Sequence, residues 1–420
     1  MKKTGRKAGI AAICLLLVCT ALLNLAGCAV KVKAKNLMEG ITPEAVAEEE
    51  DLTEQNEKAA DFAVRLFRAS AEEGKNTLLS PLSVLCALAM TANGAEGETR
   101  SQMEAVLGMP VEELNLYLYS YRRSLSQEEK AKLSLANSIW FTDDGRFSVN
   151  RDFLQTNANY YGADVYETPF DSQTCKDINL WVKQKTKGMI PEILDEIPSE
   201  AVMYLVNALA FEGEWTEIYE KNQVREGVFT KEDGSEQKAE FMYCSEYRYL
   251  ESENATGFLK DYKGGKYAFA ALLPKEGVSL SELIESLSGE QLQRLLKNPV
   301  DTPVHTAIPK FETEYDVEMS DILKSMGMEK AFDSGTAEFD GIGSSSDGNI
   351  YISRVLHKTF LSMGEKGTKA GAATVVEMPG EAAGEPEQIK EVSLDRPFVY
   401  MLIDCENRIP FFIGAMNELS

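Results

Sequence analysis

Three residues of this sequence, Ser80, His357 and Asp404, are of the types that form a hydrolase triad. In such a triad the histidine takes a proton from the serine hydroxyl and the carboxylate orients the histidine. However, the chain contains no GxSxG segment, the sharp turn that exposes a nucleophilic serine. Ser80 also precedes Pro81 at a predicted helix start, where serine serves as a cap. The sequence therefore predicts that the protein is not an enzyme.

Metal and phosphate chemistry find equally little support. The only two histidines, His305 and His357, do not lie in an HExxH spacing. The segment "GIGSSSDG" carries Gly341, Gly343 and Gly348 but lacks the phosphate-loop pattern, and it is more typical of a flexible turn. We expect no metal and no cofactor.

The N-terminus has the layout of a secretory signal. Four basic residues precede an apolar run from about Ile10 to Leu25, which ends in "LAGC". This ending resembles the bacterial lipoprotein signal, in which the thiol of the cysteine, here Cys28, receives lipid. A transmembrane anchor is the alternative, but about 16 residues is shorter than the roughly 20 needed to span a bilayer. We predict a signal peptide over residues 1–27.

The segment that follows is polar and acidic as far as Asp51, which favours a lipid-anchored flexible tether over residues 28–51. Removing four basic groups with the signal changes the formal charge from −24 to −24 − 4 = −28. Such a surface repels nucleic acid and anionic membranes. The expected location is the bacterial cell surface, on the extracellular or envelope side.

Residues 52–420 are long enough for one large domain, and their periodicity mixes helices with strands, which indicates an α+β fold. Helices are predicted at about 53–72 and after Ser80 up to Gly94, the second apolar on every side and hence buried. Buried strands are predicted in "KLSLANSIWF" and "AVMYLVNALAF", and helices in "INLWVKQKTKGMIPEIL" and "SLSELIESLSGEQLQRLLKN". The runs "FVYMLID" and "IPFFIGAM" predict a C-terminal hairpin.

Four cysteines outside the N-terminal segment are widely spaced and form no metal or redox motif: Cys86, Cys175, Cys244 and Cys405. Cys86 and Cys405 lie in apolar runs and are expected to be buried. Whether any of the four pair as disulfides is left open.

Seven segments in order make the chain similar to the serpins from about residue 55 to Asn417. The resemblance implies three β-sheets with eight or nine helices, and an exposed reactive loop near the C-terminus, here at about 365–388. The segments are "NTLLSPLSVLCALAM" with "NGAEGET", "LANSIWF", "INLWVKQKTKGMI", "LVNALAFEGEW", "IPKFETEYDV" with "LKSMGMEKAF", "VLHKTFLSMGEKGTKAGAAT", and "RPFVYMLID" with "FFIGAMN".

In the family, a target protease cleaves this loop, the freed end inserts as a new strand of the large sheet, and the protease remains as an acyl ester. An inserting strand must keep charge off its buried face, which carries every second residue. The loop meets this requirement. One parity holds no charge: Thr368, Ala370, Ala372, Thr374, Val376 and Met378. The other holds both charges: Lys369, Gly371, Ala373, Val375 and Glu377.

The resemblance also implies roles for other residues. Glu365, Gly367 and the small residues after it as far as Thr374 fall where serpins have the loop hinge. Lys310 and Glu365 resemble an ion pair at the top of the sheet, near Trp215. Four residues fall where serpins have a polar cluster that controls sheet opening: Ser80, Ser83, Asn207 and His357. An ordinary buried histidine is the alternative interpretation of His357.

In inhibitory serpins the scissile bond usually lies sixteen residues past the hinge glutamate, so the resemblance implies a bond after Glu381. The stretch back from Pro397 is, however, about five residues longer than is common in the family. Ala382 and Ala383 are therefore further candidates. Small residues suit an elastase-like pocket, whereas Glu381 needs a cationic one. No Arg or Lys occurs between Val375 and Gln388, which argues against a trypsin-like target.

The leading hypothesis is an irreversible suicide-substrate inhibitor of serine proteases, monomeric and attached to the membrane by its lipid. Cysteine proteases stay open as targets. The alternatives are a non-inhibitory serpin and, from the signal and length alone, a solute-binding surface lipoprotein.

Overall fold

Nine helices and eighteen strands occur in the part of the chain that the computed structural model describes, residues 31–419 without 126–129, 144, 146, 199–200, 347 and 369–388. The helices are α1 (Thr53–Ser70), α2 (Pro81–Ala92), α3 (Gly97–Leu107), α4 (Val111–Ser124), α5 (Arg151–Tyr160), α6 (Ser172–Lys185), α7 (Leu280–Ser286), α8 (Gly289–Lys297) and α9 (Ser320–Ser325).

The strands belong to three sheets, in agreement with the predicted fold. They are β1 (Lys35–Asn36), β2 (Thr77–Leu79), β3 (Ala131–Thr142), β4 (Phe147–Val149), β5 (Asp164–Thr168), β6 (Met203–Glu214), β7 (Val224–Thr230), β8 (Glu236–Glu251), β9 (Ala255–Asp261), β10 (Tyr267–Pro274), β11 (Val300–Pro309), β12 (Phe311–Glu318), β13 (Gly343–Ser345), β14 (Arg354–Gly364), β15 (Gly367–Thr368), β16 (Lys390–Ser393), β17 (Phe398–Asp404) and β18 (Ile409–Met416).

The seven-stranded sheet has the order β1-β5-β3-β6-β15-β14-β12. The nine-stranded sheet runs β16-β11-β8-β9-β10-β17-β18-β2, with β7 paired to β8, and β13 pairs with β4 in a third, two-stranded sheet. Aromatic contacts such as that of Phe211 in β6 with Tyr267 in β10, with ring centroids 5.5 Å apart, join the two large sheets. The core therefore lies between the two large sheets.

Sequence periodicity located the main elements well. All twelve residues of α2 are buried, as its uniformly apolar sequence predicted. The C-terminal hairpin is confirmed by the antiparallel pairing of β17 with β18. Two helix predictions are corrected. The helix α6 ends at Lys185, before the predicted end at Leu194, and the run predicted as one helix near residue 280 is divided into α7 and α8. The break between α7 and α8 includes Ser288, whose hydroxyl accepts the N–H of Gln291 and caps α8.

The expectation of a free tether is corrected from Ala34 onward. β1 pairs with β5 and so forms the edge of the seven-stranded sheet, and the N–H of Leu37 donates to Val165 O at 2.8 Å. Further along, the N–H of Glu49 donates to the Ser120 hydroxyl at 2.8 Å. Sparse apolar residues also pack against the core: Leu37, Met38, Ile41 and Leu52. A strand at the edge of a sheet has backbone N–H and C=O groups without partners. The short strand β1 forms hydrogen bonds with some of these groups on β5.

Candidate functional site

The central opening of the seven-stranded sheet lies between β6 and β14. These strands pair directly over only three residues, from Arg354↔Tyr204 to Leu356↔Val206. At the other end β15 lies between them, with Thr368 opposite Gly213 and Met363. Six residues of each strand, 207–212 and 357–362, therefore face one another across the opening with no ladder among the described residues.

Gly367 forms the turn by which the chain enters this opening. Its φ is +141°, a conformation that residues with side chains rarely adopt, and a Cβ here would lie 1.9 Å from the carbonyl oxygen of Gly213. Only glycine fits this contact, which agrees with the predicted hinge position.

Thr368 points to the buried side of the sheet. Its side chain is 1% exposed, and its hydroxyl lies 2.5 Å from the hydroxyl of Tyr262. Tyr262 in turn stacks on Trp215, with ring centroids 4.4 Å apart. The first residue of the uncharged loop parity is thus on the inner face, as the alternation predicted.

Trp215 and Tyr219 hold the backbone just before that turn. The Trp215 indole N–H donates to Gly364 O at 3.0 Å, and its backbone N–H donates to Lys366 O at 2.9 Å. The backbone N–H of Tyr219 donates to Glu365 O at 2.9 Å. Three consecutive carbonyls of the hinge are therefore fixed by one segment after β6.

The expected ion pair is present at the same end. The Lys310 ammonium lies 2.8 Å from Glu365 Oε1 and 2.8 Å from Glu240 Oε2. The hydrogen bonds to Glu240 and Glu365 raise the pKa of Lys310, and the bond from Lys310 lowers the pKa of Glu365. Because Lys310 and Glu365 are partly exposed, each pair contributes modestly to stability.

A second, buried ion pair lies behind the hinge and was missed from the sequence. The Lys260 side chain is 3% exposed and its ammonium lies 2.7 Å from Glu246 Oε1. The same ammonium lies over the rings of Tyr219, at 4.6 Å, and Trp215, at 5.4 Å. The available signal was its spacing: Lys260 alternates with the buried Phe258 and Tyr262, which places it on the inner face of β9.

The residues of the polar cluster predicted beneath the sheet come together at one end of the opening. This is the end at which β6 and β14 pair directly, and we call it the closed end. His357 Nε2 accepts the backbone N–H of Ser80 at 3.1 Å, and Nδ1 lies 3.4 Å from Asn207 Oδ1. Ser83 Oγ donates to the same amide oxygen at 2.7 Å. Because Nε2 is an acceptor, the proton of the neutral ring lies on Nδ1. The role of these four residues in sheet opening stays a prediction.

This cluster is incompletely satisfied. Burial lowers the pKa of His357 to about 4, so the ring is neutral at pH 7. Three buried polar atoms nearby have no hydrogen-bond partner: Ser80 Oγ, Asn137 Oδ1 and Asn207 Nδ2. A buried polar group without a partner costs about 1–3 kcal/mol of folding free energy, so these three atoms lower the stability of the closed end. Ser80 makes no side-chain cap for α2, contrary to the sequence-based expectation.

The hydrolase triad is not assembled. The Ser80 hydroxyl has no partner, and the carboxylate of Asp404 binds Tyr121 and Asn407 instead of His357. Within the described residues, no group of three or more His, Cys, Asp or Glu could hold a metal ion. The four cysteines outside the N-terminal segment are free thiols, with Cys86 buried and Cys405 partly exposed. No described helix has both the length and the apolar character needed to cross a bilayer.

Several predicted site residues lie outside the described part of the chain. These are the lipid-attachment candidate Cys28, the loop residues Ala370, Gly371, Ala372, Ala373 and Thr374, and the scissile-bond candidates Glu381, Ala382 and Ala383.

Comparison with known families decides the identity of this arrangement. The family model described as "Serpin (serine protease inhibitor)" matches residues 57–419. The chain is a serpin. Serpins form complexes with target proteases, so the family favours protease inhibition over solute binding.

Relatives come from distant sources. A serpin-like protein of Thermococcus kodakarensis is 29% identical over 363 residues, covering 84% of this chain and 83% of its own. A protein named leukocyte elastase inhibitor from Xenopus tropicalis is 28% identical over 374 residues, covering 85% and 97%.

Among solved structures, the thermophilic serpin tengpin is similar to this chain in two states. Its native form has a TM-score of 0.88 and 47% identity, covering 93% of this chain and all of that one. Its latent form has a TM-score of 0.79, with 44% identity and coverage of 89% and 100%. The fold described above is therefore more similar to the native serpin form than to the latent one.

Proposed function

We propose that this serpin inhibits serine proteases irreversibly, by cleavage of its loop, trapping of the acyl-enzyme and insertion of the loop between β6 and β14. The observation that carries the proposal is the six-residue opening between β6 and β14. At the end of this opening formed by Gly213 and Met363, β15 already lies between the two strands.

The register of β15 supports this directly. Thr368 pairs with Gly213 of β6 on one side and with Met363 of β14 on the other. If the inserted loop continues both antiparallel ladders, residues 369–374 will pair with 212–207 of β6 and with 362–357 of β14. The six loop residues from Lys369 to Thr374 thus fill the opening without leaving a gap.

The side chains along this register are compatible with burial. Phe211 and Leu209 of β6 are buried, as is Leu361 of β14. In the continued ladder Ala370 lies beside Phe211 and Leu361, and Ala372 lies beside Leu209. Small residues of the uncharged parity fit between such large neighbours, whereas a charged one does not.

Thr374 reaches the polar cluster in the same register, between Asn207 and His357. Its hydroxyl oxygen is an acceptor, and the Nδ2 of Asn207 is a buried donor without a partner. Insertion therefore relieves one of the unsatisfied groups of the closed end. Beyond Thr374, the three direct β6–β14 pairs must separate before Val375 and its successors can enter.

For the target we propose an elastase-like protease that accepts small residues and cuts after Ala382 or Ala383, with a Glu-cleaving protease of cationic pocket, cutting after Glu381, as the alternative. The composition of the loop supports this choice, because Ala382 and Ala383 suit a shallow pocket. The relative named leukocyte elastase inhibitor points the same way. A cysteine protease with a similar pocket is the second class to include in a panel.

We further propose that Cys28 carries lipid and holds the inhibitor at the bacterial surface. The "LAGC" ending of the N-terminal apolar run supports it. Metabolic labelling with a radioactive fatty acid should mark the wild-type chain and leave Cys28→Ser unlabelled. Equal labelling of both would refute the lipid attachment at this residue.

The proposed inhibition is tested by incubating the purified protein with elastase-type enzymes and resolving the products in SDS. A covalent complex that survives SDS, together with a higher melting temperature of the cleaved chain, is the expected result. Cleavage with neither effect would identify a non-inhibitory serpin. Mass spectrometry of the released C-terminal peptide locates the scissile bond.

A further inference from the structure

Three exposed large apolar side chains lie on or beside neighbouring strands at one edge of the nine-stranded sheet. Within the described residues, the large apolar side chains that are prominently exposed are Leu116, Val228, Tyr247, Val300 and Ile389. Three of these, Tyr247 (61% exposed), Val300 (50%) and Ile389 (55%), lie on or directly beside β8, β11 and β16. These strands are consecutive neighbours in the sheet, with β16 at its edge.

The register shows which side of these three strands is exposed. Residues of one cross-strand row, Cys244, Thr306 and Val392, are turned inward, and Thr306 and Val392 are buried. The next row points outward, and its members are all exposed: Ser245, His305 and Glu391.

Tyr247 and Ile389 share that outward side. Tyr247 lies two residues from Ser245 on β8, and alternate residues of a strand lie on the same side. Ile389 immediately precedes β16, two residues before Glu391, and is 55% exposed. We call the outward side of β8, β11 and β16, with Tyr247, Ile389 and the exposed row, the loop-foot face. It presents an aromatic and an aliphatic side chain among a serine, a histidine and a glutamate.

The loop-foot face is continuous with the segment that a protease must hold. Ile389 is the first described residue after the loop. From Glu381 to Ile389 there are 389 − 381 = 8 residues, which span at most about 29 Å when fully extended. A protease of about 230 residues has a radius of gyration of about 17 Å, hence a diameter near 45 Å. An enzyme at the scissile bond is therefore within its own diameter of this face.

We propose that the loop-foot face is a second contact area for the target protease, outside the loop itself. This inference rests on the proposed function for the identity of the partner. A tyrosine offers a large contact area with few rotatable bonds and a polar tip, and it is enriched at the energetic centres of protein interfaces. Tyr247, on a strand remote in sequence from the loop, is expected to be the main contact.

The experiment measures how fast a panel of elastase-type serine proteases consumes the intact protein, for wild type, Tyr247→Ala and Tyr247→Phe. Truncation to alanine should lower the second-order rate constant about tenfold with the most reactive enzyme. Tyr247→Phe, which keeps the ring, should recover most of the rate. A synthetic peptide of the loop, which lacks the face, should be cut at a rate independent of these variants.

Val228→Ser is the matched control, because Val228 is 42% exposed on β7 of the same sheet. It should leave the rate unchanged, and the melting temperature of each variant shows whether it is folded. An unchanged rate for Tyr247→Ala, or equal slowing by Val228→Ser, overturns the inference. So does a shift in sedimentation of the free protein on mutation of Tyr247, which would make the face a contact between two copies.

The two hypotheses fail separately. Consumption is measured by loss of the intact chain, and trapping by the SDS-stable band. If the wild type is cut without a stable band and Tyr247→Ala still slows the cut, the contact area stands and the inhibitory function falls. If stable complexes form at equal rates in both proteins, the function stands and the contact area falls. If no enzyme of the panel consumes the chain, both fall.

Discussion

The hydroxyls of Thr368 and Tyr262 lie 2.5 Å apart in the core, at the point where the loop begins to enter the large sheet. This hydrogen bond holds the Thr368 side chain on the inner face of the sheet, where the residue is 1% exposed. Every later residue of the same parity inherits that orientation if the strand extends.

Two adjacent alanines test this orientation. Ala372→Glu should abolish the gain in melting temperature on cleavage and convert the inhibitor into a substrate, because its carboxylate would be buried beside Leu209. Ala373→Glu adds the same side chain on the other parity, beside Lys358 in the continued register, and should keep both properties. The measurement is the stoichiometry of inhibition with the melting temperature of the cleaved chain. Similar defects in both variants would contradict the register.

The hinge glycine is expected to resist substitution. Gly367→Ala places a Cβ 1.9 Å from Gly213 O in addition to a positive φ, so β15 must leave its position. We expect a loss of about 2–4 kcal/mol in the free energy of unfolding. Gly234→Ala is the control, since its φ is +81° and nothing lies within 4 Å of the added carbon. It should cost about 1 kcal/mol. Equal costs in urea denaturation would show that the contact with Gly213 does not matter.

His357 should make stability dependent on pH. Its pKa falls from 6.5 to about 4 in the folded protein. Between these values the unfolded chain binds a proton that the folded chain does not, so the free energy of unfolding falls as the pH decreases from about 6.5 to 4. The total loss from this group is about 3 kcal/mol.

Urea denaturation at pH 7.5, 6 and 5 checks the histidine effect. His357→Gln removes the titrating group and should flatten the slope over this range, whereas His305→Gln, at an exposed position, should leave it unchanged. A wild-type slope retained in His357→Gln would assign the effect to the carboxylates.

The buried pair behind the hinge should be strongly coupled. Lys260→Met leaves Glu246 without its cation and should destabilise the protein by about 3–5 kcal/mol. The double variant Lys260→Met with Glu246→Leu removes both charges and should regain most of that loss. A double-mutant cycle from urea denaturation gives the coupling energy. Additive effects of the two substitutions would mean that the pair does not interact.

The sequence predicted the parts of the site that depend on pattern. Alternation in the loop placed Thr368 inward, and the all-apolar α2 was predicted to be buried. The cluster of Ser80, Ser83, Asn207 and His357 came from family resemblance, because these residues lie up to 277 positions apart, as in the Ser80–His357 hydrogen bond. No local pattern brings such residues together.

What the sequence did not predict depends on tertiary contacts. Alternation with Phe258 and Tyr262 indicates an inward position for Lys260, but its contacts with the rings of Trp215 and Tyr219, from another part of the chain, are not visible in any local pattern. The residues after Ala34 looked like a polar linker, because the edge of β5 that they cover is set by a strand more than a hundred residues away. The extent of the β6–β14 opening, too, is invisible without the pairing register.

The three direct pairs between β6 and β14 have a consequence for storage and age. If they are the remaining barrier to spontaneous loop entry, then active protein is lost by a rate process, and its half-life counts for more than its equilibrium stability. Such rates rise several-fold for each ten degrees. The active fraction of a preparation would then decrease faster at higher temperature. Its thermal history, as well as its sequence, would determine how many molecules can still inhibit.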